Sequence, residues 1–136
     1  MSTKIESNHV EINKSIQFVF DFMKDFNNIK QLLPQDKISD WQSDFDQCSF
    51  KIQNAAVIPL VKDSVESPTK INIVSGEKTP FPFTLVVTFK VLNDNQTEAY
   101  LNFDGDINAF LKMMVVKPLT NLFNYMANEL KVVCEG

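Results

Sequence analysis

The stretch FTLVVTFKVLNDNQTEAYLNF, residues 83–103, decides how this chain folds. Phe83, Leu85, Val87, Phe89 and Val91 alternate with Thr84, Thr88 and Lys90; beyond the turn Asn93, Asp94 and Asn95, Leu101 and Phe103 alternate with Tyr100, Asn102 and Asp104. Successive side chains on a strand point to opposite faces, so this parity predicts an antiparallel hairpin with one buried and one wet face. The same short apolar runs, separated by polar turns, recur on the N-terminal side at Ile38–Ser43, Cys48–Gln53, Ala55–Lys62 and Lys70–Val74. With Phe83–Leu92 and Ala99–Ile107 they make six strands. Near the start, Ile5 to Ile12 reads as one more strand, Val10 and Ile12 on one face and His9 and Glu11 on the other, for a total of seven.

Helical spacing flanks this β region. Ser15 is placed to cap a short helix whose apolar face is Ile16, Val19, Phe20 and Met23, and a second short helix, Asn27 to Leu33, is closed by Pro34. After Asn108, Leu119, Leu122, Phe123, Met126, Leu130 and Val133 form one stripe of the longest helix, opposite a polar face with Thr120, Asn121, Asn124, Asn128, Glu129 and Lys131. Pro118 lies inside that helix, and an interior proline costs about 3 kcal/mol, so a kink or broken turn is expected near Met114. No linker, repeat or low-complexity segment divides residues 1–136, which are expected to form one domain.

Composition excludes several functions. All thirteen basic residues are lysine and the formal charge is −4, so nucleic acid is a disfavoured partner and no guanidinium is present to clamp an anionic substrate. Glycine occurs only at Gly76, Gly105 and Gly136, too few and too scattered for a nucleotide-binding loop. Stable membrane insertion is not expected, because no apolar run approaches the roughly 20 residues that a spanning helix needs. The first residues carry no apolar leader, and Cys48 and Cys134 are far apart, so reduced thiols and a cytoplasmic location are expected. No cofactor is implied. Twelve phenylalanines supply bulky apolar surface without polar handles.

The order strand, two short helices, six strands, long helix resembles the START-like or SRPBCC superfamily, whose members include polyketide cyclases, lipid-transfer domains and pollen-allergen-type carriers. The front of the chain, Val10-Glu11-Ile12 followed by Ser15 to Phe22, Asp25, Asn28 and Leu33-Pro34, is similar to that family's opening. The closing helix, Asn108 through Lys117-Pro118-Leu119 to Tyr125, Met126 and Leu130, resembles its ending. The resemblance implies an α+β helix-grip fold in which a curved seven-stranded antiparallel sheet grips the last helix around a cavity. It implies as function the binding of a small hydrophobic or amphipathic molecule there.

The expected lining follows from strand and helix parity. Phe50 and Ile52 come from one strand and Ile71 and Ile73 from the next; Phe83, Leu85, Val87 and Phe89 meet Leu101 and Phe103 across the hairpin; Leu119, Phe123, Met126 and Leu130 face them from the helix. Such stripes also describe an ordinary packed core, and the space between sheet and helix decides between the two. Gly76, Pro80, Phe81 and Pro82 form a candidate lid, and Tyr125, at the border of the helix stripe, is the candidate polar contact.

No catalytic or metal-binding residue is assigned. His9, the only histidine, falls on the solvent side of its strand, and the pairs Asp44/Asp46 and Asp104/Asp106 fall on turns or outward positions. A cyclase- or dehydratase-type enzyme using the same cavity is the first alternative. A protein-interaction adaptor using the Phe81 and Phe83 tip, or the Met113 to Val116 surface, is the second.

Overall fold

A computed structural model describes residues 2–52 and 56–136. The sequence-predicted ends of two strands, at Gln53 and Ala55, lie outside the described residues. The chain is α+β: β1 (Thr3–Glu6), β2 (Val10–Ile12), α1 (Ile16–Lys24), a 3-10 segment (Phe26–Leu32), β3 (Ile38–Ser43), β4 (Gln47–Ile52), β5 (Val57–Glu66), β6 (Lys70–Ser75), β7 (Phe83–Asn93), β8 (Gln96–Gly105) and α2 (Ala109–Glu135). Strands β3 to β8 form an antiparallel meander, and β1 and β2 both pair with β8 on its other side.

Among the described residues the sheet therefore has eight strands rather than seven, because the segment from Ile5 to Ile12 is broken at Ser7–His9. β1 pairs Ile5 with Phe103, whereas β2 pairs Val10 with Ala99, so the register advances by one residue across the break. That extra residue flips the parity and lets Ile5, Val10 and Ile12 all turn inward, which an unbroken strand forbids. Ser7 holds the break: its backbone N–H donates to the Leu101 carbonyl (2.9 Å), and its hydroxyl oxygen accepts from the Leu101 N–H (2.8 Å). The Asn8 N–H donates to the Asn124 side chain of α2 (2.8 Å), tying the break to the long helix.

Local signals fix the helices. The Ser15 hydroxyl accepts from the Phe18 N–H (3.2 Å), and α1 buries Val19, Phe20 and Met23. The second helix is a 3-10 segment capped by Asp25, which buries Phe26, Ile29 and Leu32 and ends where Leu33 turns extended before Pro34. α2 carries Pro118 without a break: it is helical from Ala109 to Glu135. The hydrogen bond lost to Pro118 is the one to Met114, a residue open to solvent, where water can replace it. The α2 stripe is as expected through Leu130. Cys134 then takes the buried place, and Val133 is half-buried beside it.

The inward faces meet residue for residue: Ile73 opposite Leu85, Leu85 opposite Phe103, Val87 opposite Leu101, and Phe50 opposite Ile58. Val91, expected on this apolar face, is exposed although it keeps register opposite Thr97; the register shifts only beyond it, towards Asn93. Polar extensions lengthen two strands beyond their apolar runs: β5 continues through a bulge after Lys62 to Glu66, and β8 begins at Gln96.

Candidate functional site

All fourteen residues expected to face a cavity are buried and belong to one apolar cluster. Four phenylalanine rings link sheet to helix within it. Phe83 and Phe103 have centroids 5.3 Å apart, Phe103 and Phe123 likewise, and Phe81 packs edge-on against Phe103 at 6.4 Å. At this end the interval between the sheet and α2 is filled by side chains.

The candidate lid is anchored in the same cluster. Phe81 is only 3 % exposed and Phe83 is buried as well, so neither forms the exposed tip that an adaptor would use. Burial of two adjacent rings against Phe103 outweighs leaving them in water, by about 1.5–3 kcal/mol for each. Pro80 and Pro82 remain outside, and Gly76 approaches Pro59 so closely that a Cβ would meet its side chain at 3.1 Å. Gly76 borders an open groove of about 810 Å³ with Asp44, Gln47, Pro59, Val61 and Lys78 in its wall. No residue of α2 lines that groove, and its wall is mixed, with Asp44, Gln47 and Lys78 beside Val57, Pro59 and Leu60.

A separate hollow lies where α2 meets the segment leading into β3. It is an open cleft of about 560 Å³ lined by Pro34, Asp36, Lys37 and Ile38 on one side, Ile52 at the end of β4, and Pro118, Asn121, Leu122 and Tyr125 of α2. Its construction follows from the chain. Pro34 ends the 3-10 segment and turns the backbone outward, while the buried Ile29 and Leu32 hold that segment against α2. Ile52 and Leu122 are buried and form the apolar floor with Ile38 and the two prolines; Asp36, Lys37, Asn121 and Tyr125 form the polar rim. Among the expected lining residues, Ile52 reaches this cleft, and Tyr125, 39 % exposed, stands at its border. Leu122 belonged to the predicted helix stripe but not to the predicted site. Pro34, Pro118 and the residues 36–38 carried no periodic signal.

The remaining candidates are structural. The Asp44 carboxylate accepts from the Asp46 N–H (2.8 Å) and from Gln47, which holds it below the usual carboxylate range and caps the β3–β4 turn. Asp46 accepts from Lys62, whose ammonium also sits over the Phe45 ring. Burial pushes the Cys48 thiol up to about 12 and the Cys134 thiol up to about 11. At pH 8 Cys134 is therefore expected to react with Ellman's reagent on the order of a hundredfold more slowly in the native protein than in denaturant, and Cys48 more slowly still. Rapid native labelling of either would contradict their burial.

His9 is exposed, as its strand position predicts, and bridges the break between β1 and β2. Its ring contacts Glu6 (2.8 Å) and Glu98 (3.2 Å) and stacks on Tyr100 at 3.9 Å, with Lys90 near the same tyrosine. The hydrogen bond to Glu6 is the main cause that raises its pKa above 6.5; desolvation, next in size, opposes it, and the hydrogen bond to Glu98 adds to the rise. A raised pKa in the folded state means that this stabilisation is complete below pH 6.5 and is lost as pH rises through the folded value. Wild-type protein is expected to lose a small part of its urea midpoint as pH rises above 6.5. His9→Gln protein should lack that slope, and equal slopes in the two would remove the assignment.

No protein-family model matches the sequence, and neither does any curated protein. Solved structures do match in fold. The Zhui aromatase/cyclase of a Streptomyces species superposes with a TM-score of 0.80 at 11 % identity, over 99 % of this chain and 94 % of that one. A norcoclaurine synthase point mutant from Thalictrum flavum, in complex with a transition-state analogue, gives 0.77 at 10 % identity, over 98 % and 94 %. A START superfamily protein from Mycobacterium smegmatis gives 0.69 at 13 % identity, over 97 % of each chain. At such identities the likeness is one of fold.

Proposed function

We propose, taking the START-like helix-grip fold of this chain as the premise, that it binds a small amphipathic molecule in the cleft between α2 and the Pro34–Ile38 segment. The observation that carries this reading is the cleft itself. Its volume of about 560 Å³ falls within the roughly 300–1,000 Å³ of small-molecule sites, and its floor is apolar under a polar rim. An apolar body would rest on Ile38, Ile52 and Leu122, while a polar end would find the Tyr125 hydroxyl, the Asn121 amide and the Lys37 ammonium. The other thirteen buried residues serve in this reading as the rigid frame that fixes the two walls.

A binding role is favoured over a cyclase- or dehydratase-type reaction. The buried polar side chains among the described residues are hydroxyls, Thr3, Ser7, Thr88 and Thr97, and the charged groups at the cleft, Asp36 and Lys37, lie at its exposed rim. Proton transfer at a held substrate calls for an acid or base within hydrogen-bond reach, better placed in a wall than at a rim. Titration with 1-anilinonaphthalene-8-sulfonate, together with native mass spectrometry of protein purified without denaturation, tests the proposal. One saturable site, or a retained small molecule, is expected; neither saturable binding nor retained mass would dispose of it.

A further inference from the structure

The outer face of α2 changes character along its length. From Asn121 onward it is mostly polar, with Tyr125 and Val132 as separate apolar exceptions, whereas its first two turns cluster Phe110 (73 % exposed), Met113 (88 %) and Met114. These are not frayed ends. Asn108 caps the helix by accepting from the Leu111 N–H (2.9 Å), Leu111 packs on the core, and Val115 is buried. A well-formed helix therefore presents three large apolar side chains to solvent. Residues three and four apart share a helix face, so the row Phe110, Met114, Pro118, Asn121 and Tyr125 runs from this tip directly into the cleft.

The charges around the tip select its partner. From Ile107 to Asn128 the sequence contains Lys112 and Lys117 and no acidic residue, although the chain as a whole carries −4. Both lysines are exposed, and the N-terminal end of the helix adds its own partial positive charge. Asp106 and, across the cleft, Asp36 oppose them, and Lys37 offsets Asp36. At physiological salt the Debye length is about 8 Å, so acids on the far side of the molecule are largely screened from a surface touching this tip. We infer that the Phe110–Lys117 face of α2 docks reversibly on an anionic lipid surface, apolar side chains entering the interface and Lys112 and Lys117 meeting the headgroups. A second copy of the chain fits less well. Two-fold pairing of this patch would set Lys112 and Lys117 near their own symmetry mates, and three side chains fall short of the roughly 800 Å² per partner of a stable interface.

This inference does not depend on what occupies the cleft. Flotation of the full chain with vesicles tests it. The protein is expected to float with vesicles of equal parts phosphatidylglycerol and phosphatidylcholine, and much less with phosphatidylcholine alone. Phe110→Ser combined with Met113→Ser should lower partitioning at least tenfold, because burial of each side chain is lost. Lys112→Gln and Lys117→Gln should each lower it roughly fivefold and weaken its dependence on salt. All four positions are exposed, so unchanged melting curves verify the fold. No flotation with anionic vesicles, or flotation that survives the double serine variant, would overturn the inference. So would light scattering that shows a dimer dispersed by Phe110→Ser. A protein that fails to float yet binds the soluble probe loses this inference and keeps the proposed cleft.

Discussion

Phe103→Ala is expected to lower the unfolding free energy by about 3–5 kcal/mol, a large part of the roughly 5–15 kcal/mol that a domain of this kind has. Phe103 is the ring through which the others touch: Phe83 and Phe123 lie at 5.3 Å, Phe81 lies edge-on at 6.4 Å, and Leu85 faces it across the ladder. Its truncation leaves a hole that sheet and helix cannot both close, since β8 is held by β7 on one side and by β1 and β2 on the other. Urea denaturation should show the midpoint falling with an unchanged slope. A loss below about 1 kcal/mol would mean that the surroundings collapse freely, and that the space between sheet and helix is softer than the ring contacts imply. Gly105 gives an internal control. A Cβ there would meet the Phe103 ring at 2.7 Å, so Gly105→Ala is itself destabilising, and Phe103→Leu should relieve part of that cost in a double-mutant cycle.

The layout was legible because local chemistry and global packing agree. Strand parity from Phe83 to Phe103 names the inward residues, the Ser15 cap and Pro34 bracket the short helices, and the stripe from Leu119 to Leu130 marks the buried side of α2. What escaped was set by partners far along the chain. The break in the first strand depends on the Ser7 hydroxyl meeting the Leu101 N–H, 94 residues away, which no periodicity in residues 5–12 encodes. The ring stack escaped for a different reason: parity states which side chains point inward, not whether their volumes fill the interior. The cleft draws Pro34 to Ile38, Ile52 and one edge of α2 together through the packing of the 3-10 segment on that helix. Tyr125 sits where the apolar stripe turns polar, which is why it comes to the border of the cleft.

Asn121→Trp is expected to weaken binding of an apolar probe at least tenfold, about 1.4 kcal/mol, while changing stability by no more than about 0.5 kcal/mol. Asn121 is exposed on α2 and forms part of the cleft rim, so an indole there finds apolar floor at Leu122 and Ile52 to cover and meets no packed core. Occlusion without unfolding separates this variant from a floor substitution such as Leu122→Ala, whose expected loss of about 2–5 kcal/mol would confuse binding with folding. Tyr125→Phe supplies the complementary measurement. Deleting one neutral hydrogen bond is worth about 0.5–1.5 kcal/mol, so a ligand whose polar end reaches the hydroxyl should bind two- to tenfold more weakly, with no change for a purely apolar probe. Probe affinity left intact by Asn121→Trp, in a protein that melts like the wild type, would move the site away from α2. The mixed groove beside Gly76 and Lys78 would then be the place to look, and the chemistry of the ligand would shift towards more polar groups, since that wall sets Asp44, Gln47 and Lys78 among its apolar residues.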